Sequence, residues 1–325
     1  MDITKKINEY FENLDDGETR AYIGASSIGN ECTAYLSFSH RGYPNTEPDQ
    51  QLKRIFRDGH RIENVVISDM TKAGMHIMEK DPMSGKQWRY TDYEGNAMGN
   101  ADGLMELHDG SSAILEIKSM NDQKFKDFVK KGVKLSHPQY FAQMQYLMGL
   151  SECQKAVLVS YNKNNSQYHH EWIAFDIFYY NSLRQKVEDV INGLGRKLSK
   201  DESDWRCRGC FKREVCWHGK EPERTKRTCG NSKAQIDSAD WVCSKGCGEI
   251  CEDWIRYELS QSKLLKLEHE ITRIRDRISD IEFEITQSSV TTKGDLQKER
   301  RRAIDKLRHL QDDLYRLKVD NINET

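Results

Sequence analysis

Apolar positions recur every three or four residues through 50–72, where Ile55, Phe56, Ile62, Val65, Val66 and Met70 alternate with charged residues. That spacing predicts an amphipathic helix. Residues 4–14, 32–38, 122–131, 137–149 and 177–198 read as helices in the same way, with a loop over 22–32. Short alternating or β-branched runs predict strands near 75–80, 87–92, 100–107, 112–118, 155–161 and 168–175. Helices, then a small curved sheet, then helices packed on it describe a mixed α/β domain. Past residue 255 the pattern changes. Leu264, Leu267, Ile271, Ile274, Ile278, Ile281 and Ile285 alternate by three and four, as do Leu307, Leu310, Leu314 and Leu317, with a turn-like stretch over 287–294. This predicts an antiparallel coiled-coil hairpin, serving as a structural or self-associating arm or as the seat of a protein partner. Between the two regions, 201–254 holds too few aliphatic residues to build a core by burial alone. The expected division is 1–200, 201–254 and 255–325.

The most informative polar residues lie on the strands at 100–107 and 112–118. Asp109-Gly110 supplies a turn between them. Glu116 and Lys118 alternate onto one face, and a hairpin closed at 108–111 sets Asp102 opposite residue 117. Two carboxylates and an ammonium at one spot would hold a hard divalent cation and activate water. The plainer reading of Glu116 and Lys118 is a same-face pair on an exposed strand. Upstream, His60 and Glu63 stand one helical turn apart. Downstream, the helix at 137–149 carries Gln139, Tyr140, Gln143, Gln145 and Tyr146, with Gln143 placed to hold a phosphate or support the lysine. His169 and His170 are adjacent on a strand, point to opposite faces and read as structural.

Composition narrows the choices. The chain has 325 residues, a net charge of −2 and no apolar run near the ~20 residues of a membrane helix. The N-terminal stretch lacks an apolar leader core, so a cytoplasmic protein is expected. Without a global basic field, nucleic acid would be bound by local patches such as Lys124, Lys126, Lys130, Lys131 and Lys134, or Arg206, Arg208, Lys212 and Arg213. The first patch reads equally as a solvated helix face.

Nine cysteines without a secretory leader point to metal rather than disulfides. Cys207, Cys210 and Cys216 have ligand spacing and need a fourth donor; His218 would complete a zinc site. Cys229, Cys243, Cys247 and Cys251 would satisfy a second, tetrahedral zinc, leaving Cys153 as a small core residue.

Over roughly residues 20–220 the set resembles the PD-(D/E)XK nuclease superfamily, and within it the RecB-like exonucleases of CRISPR systems and of phage recombination. The family's upstream histidine, motif aspartate, E-x-K and glutamine/tyrosine helix fall on His60, Asp102, Glu116 with Lys118, and Gln143, with Tyr146 as a further DNA contact. The chain departs from the pattern at Ala101, where proline is usual, and in the three-residue step from Gln143 to Tyr146. The resemblance implies a restriction-endonuclease-like core, a mixed sheet flanked by helices. It implies Mg²⁺ or Mn²⁺ on Asp102, Glu116 and the Ile117 carbonyl, with His60 as a further ligand and Glu63 orienting it. Lys118 would orient or deprotonate the attacking water. In the iron–sulfur members a lone upstream cysteine completes the cluster. That residue falls on Cys32, giving a [4Fe–4S] site with Cys207, Cys210 and Cys216 that staples the two ends of the domain; zinc on the same thiolates is the alternative. Ala34 stands where the family often has arginine. The expectation is a DNA exonuclease of recombination, repair or phage DNA processing in a bacterial cell. The alternative is a metal-stapled DNA-binding adaptor that recruits a partner through its helical arm.

Overall fold

The computed structural model describes residues 1–14, 20–246, 251–287 and 290–323. The chain opens with α1 (Ile3–Glu12), β1 (Ile23–Gly24), α2 (Ala25–Ile28), α3 (Thr33–His40) and α4 (Gln50–Lys72). The strands β2 (Ile77–Met78), β3 (Arg89–Asp92), β4 (Ala97–Asn100), β5 (Gly103–Glu106) and β6 (Ser112–Met120) follow. Next come α5 (Asp122–Lys131), α6 (Val133–Ser136), α7 (Pro138–Ser151), β7 (Lys155–Asn162), β8 (Tyr168–Ala174) and α8 (Ile177–Ile191). The cysteine-rich stretch holds α9 (Trp205–Arg208), α10 (Arg213–Trp217), β9 (Ser232–Ala234) and β10 (Trp241–Cys243). Two long helices, α11 (Ser260–Gln287) and α12 (Val290–Asn323), close it.

Five strands form the main sheet in the order β2-β5-β6-β7-β8, antiparallel except for the parallel central pair β6–β7. A parallel pair needs a crossover, and α5, α6 and α7 supply it. Both faces of the central strands are covered, which is why β6 and β7 read as near-continuous apolar runs. Leu115, Ile117, Val157 and Val159 meet Val66, Ile67 and Met70 of α4 on one face. Ile114 and Leu158 face the larger core with Ala142, Met144 and Leu147 of α7. A small sheet, β1-β4-β3, sits beside that core. There Gly99 is needed, because a Cβ would stand 2.3 Å from Ala25 Cβ and 3.0 Å from Leu147 Cδ2.

Several boundaries differ from the sequence reading. The strand expected over 100–107 is two strands in different sheets, broken at Ala101 and Asp102. Helix α4 spans the predicted 50–72, capped by Asp49, whose side chain accepts from Leu52 N at 2.7 Å. Its Ile55, Phe56 and Val65 are nevertheless exposed; α1 rather than the sheet lies along its first half, and Val65 falls off the stripe of Val66, Ile67 and Met70 that meets the sheet. Helix α8 stops at Ile191, where Asn192 and Gly193, at φ +82°, end it before the expected residue 198. In the C-terminal pair, Val290–Gly294 is helix rather than turn. Helices α11 and α12 fold back on each other and are tied by Arg277–Glu299 at 2.9 Å and Arg300–Glu282 at 2.6 Å. Among the described residues no helix is long and apolar enough to cross a membrane.

The cysteine-rich stretch packs onto the first helices without a large core of its own. Arg41, buried, donates to the carbonyls of Arg227, Cys229 and Ser232 at 2.9–3.0 Å. Its guanidinium lies over the rings of Tyr257 at 3.7 Å and Trp241 at 4.8 Å. Val215, Tyr257 and Leu259 share a cluster with Ala34, Phe38 and Tyr43.

Candidate active site

Asp102 sits in the two-residue link between β4 and β5, and its Oδ2 accepts from Ile117 N at 2.7 Å. The β5–β6 register pairs Gly103 with Leu115, which brings Asp102 level with Glu116 rather than residue 117. The hairpin closes on a three-residue loop, with Leu107 N bonded to Ser111 O and Gly110 at φ +80°. This one-residue correction matters. Directly opposed residues share a face, and a slip by one sends a side chain to the other face. The observed register, not the expected one, puts Asp102, Glu116 and Lys118 together.

Glu116 is fully buried. Its Oε1 accepts from Gln143 Nε2 at 2.8 Å and contacts the Lys118 ammonium. Its Oε2 is buried and has no hydrogen-bond partner. Burial pushes the Glu116 carboxyl up to about 7, with the charge of Asp102 adding and that of Lys118 opposing. Burial also raises Asp102, against the pull of Lys118 and the Ile117 N–H. Burial disfavours the Lys118 ammonium, but Glu116 and Asp102 outweigh it and hold the group above its ordinary value.

Glu63 of α4 joins the same site. Its carboxyl is raised by burial and then by the charge of Asp102, and it also feels Lys118. Its side chain is 26% exposed, while that of His60, 3.8 Å away, is 84% exposed. The role expected for Glu63 from the sequence is only to orient His60. The signal for more was present: Glu63 leads Val66 and Met70 by helical steps of three and seven, on the stripe that packs against the sheet. His60 lies at the mouth, within electrostatic reach of Asp102.

Three carboxylates around one ammonium leave an excess of negative charge in a buried place. An orphaned carboxylate oxygen at its centre suits a hard cation with oxygen ligands. As the side chains stand, no three His, Cys, Asp or Glu groups among the described residues are gathered closely enough to hold an ion. The Lys118 ammonium supplies the counter-charge on Glu116 instead.

Other expected residues fall elsewhere. Tyr146 is buried, and its hydroxyl donates to Asp92 Oδ2 at 3.0 Å, so it is a core tyrosine and not a DNA contact. Asp92 also holds Arg184 at 3.1 Å. On α5, Lys126 pairs with Asp122 at 2.7 Å and Lys131 with Asp127 at 3.0 Å, which neutralises part of the basic patch; Lys124 and Lys130 share that helix. His169 lies edge-on to Phe128 at 4.9 Å and His170 pairs with Val159; both, with Tyr168 and Trp172, line an apolar groove of about 550 Å³.

No disulfide joins Cys32, Cys153, Cys207, Cys210, Cys216, Cys229 or Cys251. Cys32 is the N-cap of α3, and Cys216 lies with it against the Val215 cluster. Burial raises the thiols of Cys207, Cys210 and Cys216, the last to about 11, and each also feels charge on Cys32. The four therefore share one neighbourhood. The two ring nitrogens of His218, the alternative fourth donor, face Glu202 at 2.9 Å and Glu214 at 3.0 Å. Cys229 is buried, Cys243 lies on β10 opposite Ser232, and Cys247 falls outside the described residues. Cys251 begins the next described stretch.

No family model and no curated protein matches the chain. Among solved structures it is similar to LHK-Exo in complex with dAMP, at 19% identity and a TM-score of 0.41, over 53% of this chain and 86% of that one. It is similar to the alkaline exonuclease LHK-Exo from Laribacter hongkongensis, at 18% identity and a TM-score of 0.40, over 57% and 90%. It is also similar to a phage-related exonuclease from Haemophilus somnus 129PT, at 15% identity and a TM-score of 0.38, over 55% and 93%.

Proposed function

We propose that this chain is a divalent-metal-dependent deoxyribonuclease of the RecB-like exonuclease type, acting on DNA ends. The observation that carries the reading is the unpartnered, buried Oε2 of Glu116 beside Asp102 and Lys118. The motif resemblance over His60, Asp102, Glu116, Lys118 and Gln143 supports it.

Asp102, Glu116 and the Ile117 carbonyl would hold Mg²⁺ or Mn²⁺, with Glu63 and His60 at the open side. When bound, the ion activates water at neutral pH and compensates charge on the phosphate. Gln143 fixes one oxygen of Glu116 and leaves the other for the cation. Asp102 is kept in place by Ile117 N. Lys118 enters as an ammonium, because the carboxylates favour its charged form. With an ion on the carboxylates it would orient or deprotonate the attacking water and stabilise developing negative charge. Lys124 and Lys130 would contact the DNA backbone.

The shared neighbourhood of Cys32, Cys207, Cys210 and Cys216 supports a [4Fe–4S] cluster there, with Zn²⁺ as the alternative. The group would tie α3 to α9 and α10 across the domain. A second zinc on Cys229, Cys243, Cys247 and Cys251 and a partner on α11 and α12 complete the reading.

The test is incubation of the protein with end-labelled linear DNA and with closed circular DNA, with and without Mn²⁺, beside Lys118→Ala. Divalent-dependent loss of linear DNA that Lys118→Ala abolishes is expected. Retention of both DNAs under all conditions would overturn the reading.

A further inference from the structure

The Lys118 ammonium has a second neighbour besides the carboxylates. It lies over the ring of Tyr140, 5.3 Å from the centroid. Tyr140 is stacked on His137, with centroids 5.3 Å apart and planes within 2° of parallel. His137 is the N-cap residue of α7 and Tyr140 stands three positions later, so the helix start itself brings the rings face to face. Two further contacts fix the imidazole. Its Nδ1 is 2.8 Å from Ser136 Oγ, and its ring stands edge-on to Phe128, a buried core residue, at 6.4 Å and 88°. Pro138 follows and restricts the backbone of His137.

One turn further along the same helix, Gln143 holds Glu116. Helix α7 thus grips both partners of the Lys118–Glu116 pair, the carboxylate through Gln143 and the ammonium through Tyr140. Without the ring, the four-carbon stem of Lys118, with a quarter of its side chain exposed, has other rotamers open to it. An ammonium over an aromatic face loses water on one side and gains the attraction of the ring, which narrows those choices.

We propose, resting on the nuclease reading for its kinetic consequence, that Tyr140 backed by His137 is a positioning residue whose ring holds the Lys118 ammonium against Glu116 and Asp102. The ring face does this, not the phenol oxygen. Phenylalanine therefore serves at position 140, and at position 137 any flat ring that preserves the stack.

Two readouts test it, one independent of activity. In protein labelled with [¹³C]lysine, the Lys118 Cε methylene protons, assigned with Lys118→Arg, are expected upfield of the other lysines because of the Tyr140 ring current. The displacement should persist in Tyr140→Phe and vanish in Tyr140→Leu. In Mn²⁺-dependent cleavage of linear DNA, Tyr140→Leu should lower kcat by roughly tenfold, the scale of a partly desolvated cation–ring contact, with KM and Mn²⁺ affinity unchanged. Tyr140→Phe should restore kcat. His137→Ala should give a smaller loss and His137→Phe should recover it, which keeps the test alive if the leucine variant folds poorly. An unshifted Lys118 signal in the wild type, wild-type kcat in Tyr140→Leu, or equal losses in the phenylalanine and leucine variants would overturn the proposal. A wild-type protein that cleaves no DNA with Mn²⁺ sinks the nuclease reading instead, and the Lys118 resonance then decides the placement alone.

Discussion

Replacing Glu116 with glutamine is expected to stabilise the protein in the absence of divalent ions while destroying its function. Glu116 is fully buried, one oxygen is held by Gln143 and Lys118, and the other has no partner. Burial lifts its carboxyl from 4.5 to about 7, the charge of Asp102 adding and Lys118 opposing. Between those values the folded state keeps a proton that the unfolded chain has released. Stability therefore falls as pH rises from 4.5 through 7, and stays lowered above that. The shift corresponds to up to about 3 kcal/mol at pH 8. The cost shrinks to under about 1 kcal/mol by pH 5. Glutamine has nearly the same shape and carries no charge, so it escapes this cost, but it also gives up the charge pair that holds the Lys118 ammonium, so the net gain is smaller than the shift alone. In EDTA at pH 8, Glu116→Gln should melt a few degrees above the wild type (roughly 2–4 °C), and the gap should narrow towards pH 5. Mn²⁺ at 100 times its Kd should then raise wild-type stability by about 3 kcal/mol and leave the variant almost unmoved. Thermal unfolding followed by circular dichroism at pH 5 and pH 8, with EDTA and with Mn²⁺, reads all four quantities. A variant that melts below the wild type at pH 8, or shows the same pH slope, would refute the reasoning.

Three more outcomes follow from particular contacts. Gly99→Ala should cost about 1–3 kcal/mol in a denaturant titration, because its Cβ would overlap Ala25 and press on Leu147. Arg41→Met should leave the carbonyls of Arg227, Cys229 and Ser232 without their donor; a loss of about 3 kcal/mol is expected, with new proteolytic cleavage within 224–246 as the readout. Tyr146→Phe should lower stability by about 1 kcal/mol through loss of the bond to Asp92, while DNA affinity measured by fluorescence anisotropy stays at the wild-type value.

The parts of the site legible in the sequence are those that a local period fixes. Glu116 and Lys118 share a face because strand side chains alternate, and α4 runs over the predicted residues because Asp49 caps it and its apolar spacing is regular. The position of Asp102 depends on a closing loop of three residues rather than four and on a chain that leaves one sheet for another at Ala101. Neither leaves a periodic trace. Glu63 and His60 are equivalent polar residues on a helix until packing turns one inward. No local pattern marks Arg41, which is buried where the cysteine-rich stretch meets α3. Its guanidinium replaces, with hydrogen bonds and ring contacts, the aliphatic core that the stretch lacks. The motif alone places Tyr146 on DNA, but its side of α7 faces Asp92 and Tyr180 rather than Lys118.

Crystals soaked in Mn²⁺ and measured at the manganese absorption edge test the central claim most directly. An anomalous peak within bonding distance of Glu116 Oε2 and an Asp102 carboxylate oxygen, with Lys118 beside it, is the expected result. Fully substituted crystals that show manganese elsewhere and none between those two carboxylates would contradict it.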